Sequence, residues 1–166
     1  MKKFVLIFCL LPGFMLSQNM TNEKLQEIYT EVSDSIVGNL GSWQFYIKKV
    51  PIVCITDSTH NRMRIISPIA DSETLNNELI RACLVANFHT ALDVKYAVSE
   101  GVLWSVFIHP LKELSEHQVK DAVSQVYQAN LNFGTTFSST SLTFPGRKND
   151  KREVEKEKKK PKLRKL

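Results

Sequence analysis

Four histidines, an Arg-x-Arg pair and three cysteines are the side chains in this sequence whose types could do chemistry. A bound metal needs ligands gathered at short spacings, and His60, His89, His109 and His117 stand far apart along the chain or in separate elements. No Gly-x-Ser-x-Gly word offers an activated serine, and Cys54 and Cys83 have apolar neighbours rather than the cationic setting that creates a thiolate. Glycine-rich phosphate loops are absent from the sequence as well. An acid–base set built on His109 with Asp93 or Arg64 would need scattered residues to meet in space. No catalytic, metal-binding or cofactor-binding residue is therefore assigned, and the expectation is a chain that is not an enzyme and carries no cofactor.

Binding chemistry is better represented. Arg62 and Arg64 alternate with Met63 and Ile65, so a strand would put both guanidiniums on one face, where they could clamp a carboxylate or an acidic partner segment. The plainer reading has them facing water, or paired with Asp57 or Asp93. Trp43, Tyr46, Tyr96, Trp104 and Phe107 supply aromatic area of the kind a protein-binding face uses, and the same residues suit a core. The candidate partner-binding set is Arg62, Arg64, Trp43, Trp104 and Phe107.

The elements that must position these residues follow from hydrophobic spacing. Leu25, Ile28, Tyr29, Val32 and Ile36 recur with helical period, predicting a first helix from about Thr21 or Asn22 to Leu40, stopped by Gly41. Three antiparallel strands come next: Trp43, Phe45 and Ile47 alternate with polar residues, Ile52–Thr56 follows Pro51, and Arg62–Ile66 follows the turn formers Asp57–Asn61. Asp71 or Ser72 can cap a second helix bearing Leu75, Leu79, Ala82, Cys83 and Ala86, with Ile80, Leu84 and Phe88 widening its apolar stripe. Leu92, Val94, Tyr96 and Val98 alternate as a strand, Ser99-Glu-Gly101 turns the chain, and Val102–Ile108 is apolar at nearly every position. Ser115 and Gln118 form a capping box for a third helix carrying Val119, Ala122, Val123, Val126 and Phe133, with Gly134 as its stop. Thr135–Thr143 fits a loop or a short edge strand. The fold class is α+β, a single domain in the order α-β-β-β-α-β-β-α with an antiparallel sheet packed by helices.

That order, together with Asn61-Arg-Met-Arg-Ile-Ile-Ser-Pro-Ile69, Ala86-Asn-Phe-His-Thr-Ala-Leu-Asp93, Leu103-Trp104, Phe107-Ile-His-Pro-Leu111 and Phe133-Gly-Thr-Thr136, resembles the type III secretion chaperone-like fold, and within it the YbjN-type branch of bacterial proteins. The likeness covers roughly residues 55–144. It implies a small domain that often pairs as a homodimer and binds polypeptide across its sheet and helix surfaces, without cofactor or catalysis.

The ends of the chain differ from its body. Lys2 and Lys3 precede the apolar run Phe4–Leu11, Pro12-Gly13 breaks it, and Ser17 offers a small residue before a polar stretch, the layout of a signal peptide over residues 1–17. The run is shorter than the roughly 20 residues a spanning helix needs. Export to a bacterial periplasm or beyond is the expectation, with Cys54 and Cys83 read as two buried free thiols rather than a disulfide. Residues 147–166 hold 11 Lys/Arg and 4 Asp/Glu, a net of +7, whereas residues 18–146 hold 9 and 13, a net of −4. The basic character belongs to the tail alone, which argues against a folded nucleic-acid-binding face. With few apolar residues the tail is expected to be a disordered appendage to the 18–146 domain. Two functions fit: an exported module that binds an envelope protein or peptide, or a peripheral factor held to anionic lipid or nucleic acid by its tail.

Overall fold

The computed structural model describes residues 19–140. The proposed signal peptide and the basic tail lie outside the described residues. Thr21 opens the first helix, α1 (Asn22–Val32), by accepting the Lys24 amide, and α1 buries Leu25, Ile28 and Tyr29. At Ser33 the backbone turns extended (φ −112°, ψ 153°), and the Ser33 hydroxyl donates to the Tyr29 carbonyl at 2.6 Å. The helix therefore stops well short of Leu40. Ser35–Asn39 is a strand, β1, whose Ile36 packs on the core from a position opposite Phe45. Helical spacing placed Ile36 in line with Val32 by coincidence, and two β-branched residues in a row, Ile36 and Val37, favour the strand. Gly41 sits in the β1–β2 turn at φ +98° rather than ending a helix. Gly38 is required for a different reason: at φ +125°, a Cβ there would lie 2.3 Å from the Ser42 carbonyl oxygen.

The remaining strands are β2 (Ser42–Ile47), β3 (Val50–Asp57), β4 (Arg62–Asp71), β5 (Lys95–Ser99) and β6 (Val102–His109). They form one antiparallel sheet in the order β1-β2-β3-β4-β6-β5. The α+β class and the expected order hold, with β1 added ahead of the three foreseen strands. Pro68 lacks a ladder donor, and the β4–β6 register shifts between Pro68 and Ala70 to accommodate it. The β5–β6 turn places Glu100 and Gly101 at φ 51° and 77°, as a tight two-residue hairpin of this hand requires.

Asp71 caps a single 3-10 turn, Ser72–Thr74, and it is Asn76 that caps the second helix, α2 (Asn77–His89), by accepting the Leu79 amide. The third helix, α3 (Glu116–Leu131), opens with the foreseen Ser115/Gln118 capping box and ends before Phe133. Residues 91–94 form a bend rather than the start of β5, and residues 135–140 contain no strand.

Helices α1 and α3 cover one face of the sheet, and Trp43, Phe45, Ile52, Cys54, Met63, Ile65, Leu103 and Phe107 point into that layer. Tyr29 stacks on Phe45 (4.7 Å between centroids) and meets Trp43 edge-on (5.5 Å). Where α3 crosses the sheet, the core carries polar groups in a closed set. Asn130 donates to the Ser67 hydroxyl and to the Pro68 carbonyl, both at 2.7 Å, and Ser67 donates to the Pro51 carbonyl at 2.7 Å. No buried side-chain polar atom among the described residues is left without a partner.

The third helical element treats the sheet differently. Helix α2 lies against the edge strand β5, where Asn87 accepts the Tyr96 amide (2.7 Å) and donates to the Tyr96 carbonyl (3.1 Å). One side chain thus fills two of the hydrogen-bonding positions that a seventh strand would use.

Candidate functional site

The face of the sheet opposite α1 and α3 has no helix over it among the described residues. Register lines Val37, Gln44, Val53, Ile66 and Val106 across five strands, and beside that row runs Ser42, Ile55, Arg64 and Ile108. Pro68 and Trp104 form a further pair on the same side. Ile55 is 44% exposed and Ile108 59%, values that a water-facing strand would normally give to polar residues. Val53, Ile66, Trp104 and Val106 are half-buried and are not part of the core cluster.

A second apolar surface lies on α2. Cys83 and Ala86 turn inward, while Ile80, Leu84 and Phe88, four residues apart, make an outward row with Val85 beside it. Phe88 is 85% exposed and Leu84 65%. Helical spacing makes this row the flank of a widened apolar stripe, but its width is not matched by cover. Instead only the narrow inward strip is covered.

The candidate residues divide between the two faces of the sheet. Trp43 and Phe107 are core side chains, with Trp43 Nε1 donating to Gln26 Oε1 at 2.5 Å, so neither can meet a partner. Their strands alternate as expected, but the face on which they lie is the one that α1 and α3 close. Trp104 lies on the open face, its indole N–H donating to the Ser99 carbonyl at 3.2 Å. Arg62 and Arg64 are exposed on the open face too. Asp57 stands opposite Arg62 in the ladder, yet its carboxylate is taken by His60, through the His60 amide (3.0 Å) and Nδ1 (2.7 Å), and these bonds hold the Asp57 pKa below its ordinary value.

The histidines do not converge. His60 is in the β3–β4 turn, His89 ends α2, and His117 lies in the first turn of α3. His109 closes β6 with its ring parallel to Phe107 and its Nδ1 2.8 Å from the Pro110 carbonyl. His109 and Asp93 do line a common cleft of about 450 Å³ between β6 and α3, but Asp93 accepts from Gln125 rather than facing the imidazole. Arg64 is on the opposite face of the sheet. No group of three or more potential metal ligands occurs among the described residues. Cys54 and Cys83 are free and buried; desolvation pushes the Cys54 thiol up to about 12, and Tyr29 donates to its sulfur at 3.0 Å. Neither thiol is a nucleophile at neutral pH.

Geometry thus leaves two open apolar surfaces and, among the described residues, no assembled catalytic group. Comparison with solved structures bears on the architecture. A chain of the HopA1–SchA chaperone–effector complex aligns with a TM-score of 0.52 and 12% identity, over 68% of this chain and 94% of that one. A chain of the ExsC–ExsE complex aligns with a TM-score of 0.53 and 11% identity, over 68% and 92%. The fold is the type III secretion chaperone-like fold. At these identities the likeness concerns architecture. No protein-family model and no curated protein sequence matches the chain.

Proposed function

We propose that this chain is a non-catalytic, chaperone-like protein-binding module that holds a segment of another polypeptide on the open face of its sheet. The observation that carries the reading is that face itself: five strands wide, apolar along its central row, and covered by none of the described helices. Covering such a surface releases about 25 cal/mol per Å² of apolar area, so a partner gains from contact that the described residues do not supply. The fold shared with a member of a chaperone–effector complex supports the same reading. The outward row of α2 we assign to pairing with a second copy, as a homodimer. Membership of the YbjN-type branch, export through residues 1–17 and an envelope protein or peptide as the partner belong to the same proposal, resting on the sequence words and the N-terminal layout.

The test is recovery of co-purifying molecules from the native host, at low and moderate salt. A defined protein recovered stoichiometrically with the full chain and with a chain lacking residues 147–166, but lost with I55E/I108E, supports the module. Recovery of lipid or nucleic acid alone, abolished by tail deletion or by salt, would replace it with electrostatic attachment through the tail. For the α2 assignment, L84E/F88E converts a dimer to a monomer in sedimentation; unchanged mass refutes that contact.

A further inference from the structure

The open face carries a charge pattern that defines its partner more closely, provided that the face binds polypeptide at all. Its outward positions include Arg62 and Arg64 and two carboxylates, Asp57, which His60 occupies, and Asp71 at the far end of β4, which accepts the Glu73 amide. Asp93, the other carboxylate that the sequence offers these arginines, is bonded to Gln125 beside α3. Among the described residues neither guanidinium makes an ion pair or a side-chain hydrogen bond. This is unlike the balance of residues 19–140 as a whole, which hold 13 acidic and 9 basic residues. The acidic surplus lies elsewhere, and around Arg62 and Arg64 the open face is locally positive.

Position sharpens the consequence. Arg64 stands directly between Ile55 on β3 and Ile108 on β6, so any segment that covers the two isoleucines also removes the Arg64 guanidinium from water. A cation buried without an anion loses its hydration with nothing to replace it, which would cancel much of the apolar gain. The occupant must therefore bring carboxylates with it. The chain's own tail cannot serve, since residues 147–166 carry a net +7 and would add charge of the same sign.

We infer that the open face binds an extended segment that presents carboxylates at positions i and i+2 to Arg62 and Arg64 and an apolar residue at i+4 to Ile66, with Val53 and Val106 on either side. Arg62 and Arg64 are two residues apart on a strand, about 7 Å between Cα atoms, the spacing of residues i and i+2 in an extended peptide. Bidentate carboxylate pairing suits the guanidinium fork, and neighbouring isoleucines exclude competing water.

The experiment is selection of phage-displayed random peptides on the immobilised full-length chain at physiological salt, followed by affinities for charge variants. Enriched peptides should carry Asp or Glu at positions i and i+2 with an apolar residue at i+4, and should bind R62E/R64E at least about tenfold more weakly, the loss expected for charge-assisted hydrogen bonds. R62Q/R64Q should weaken them as well, which guards against a folding defect in the reversed variant. Enrichment of peptides without acidic residues, or of peptides indifferent to both variants, overturns this inference and leaves the polypeptide-binding reading in place. Acidic peptides that lose affinity only with K158Q/K159Q/K160Q bind the tail, which also overturns it. Enrichment of no peptide at all overturns the polypeptide-binding reading together with this one.

Discussion

Replacing Asn87 should loosen the β5 edge by an amount that its two hydrogen bonds fix in advance. The side chain accepts the Tyr96 amide at 2.7 Å and donates to the Tyr96 carbonyl at 3.1 Å, both in partly buried surroundings. Each bond contributes about 1 kcal/mol net, so Asn87→Ala should cost about 2 kcal/mol, reduced where water reaches the freed groups. Asn87→Leu fills the space but bars that water, and should cost more, about 3 kcal/mol. Urea unfolding followed by fluorescence of the buried Trp43 is a suitable assay. With a slope of about 2 kcal/mol per molar, the alanine variant should unfold at a midpoint about 1 M lower with an unchanged slope. Amide exchange supplies the local readout, since the Tyr96 N–H should lose protection ahead of the β4–β6 pair. If Asn87→Ala keeps the wild-type midpoint and Tyr96 exchange is unaltered, then α2 does not seal the edge through this amide.

Other perturbations test separate parts of the fold. Gly38→Ala should cost about 2 kcal/mol or more and release β1, because it meets a backbone oxygen at 2.3 Å, whereas Gly101→Ala, strained in φ but free of neighbours, should cost only about 1 kcal/mol; denaturation midpoints rank the two. The unfolded Cys54 thiol ionises near pH 8.5 while the folded one holds its proton to about 12, so above about pH 8.5 the unfolded state binds fewer protons and stability falls as pH rises, by up to about 1.4 kcal/mol per unit from this group. Cys54→Ala should flatten that alkaline slope, and an unchanged slope would assign it to other groups. Exposed Asp57, Glu113 and Glu116 have lowered pKa values, so their contribution is present above about pH 4.3 and fades as pH falls below it, an effect that added salt should shrink.

Alternation made most of the sheet legible from sequence. Arg62 and Arg64 could be placed on one face and Met63 and Ile65 on the other because strand geometry has a period of two, and the structure keeps that separation. The fold class and the α3 capping box were readable for the same local reasons. Which face would be closed was not readable, since that depends on where α1 and α3 dock; Trp43 and Phe107 therefore passed as partner candidates although both are core. Ile36 was misassigned because its spacing from Val32 satisfies a helix as well as a strand. Apolarity alone also hid the nature of the Ile80–Leu84–Phe88 row, for a residue type does not say whether a neighbour exists to cover it. The pairing of Asn87 with the Tyr96 backbone left no trace in composition or period. The freedom of Arg62 and Arg64 had one usable sign: Asp57, His60 and the turn between them favour a local bond that removes the nearest carboxylate.

The two ends of the sheet are unequal. At β5 the Asn87 amide occupies the backbone donor and acceptor of Tyr96, while nothing among the described residues pairs with the outer side of β1. Growth of fibres by lateral strand addition needs two reactive edges per unit, as a linear polymer needs bifunctional monomers. With Tyr96 occupied, copies meeting β1 to β1 would present outward β5 edges at which a further strand must first displace the Asn87 amide, and growth beyond two would be hindered. A variant that frees Tyr96 should reveal that protection by aggregating more readily.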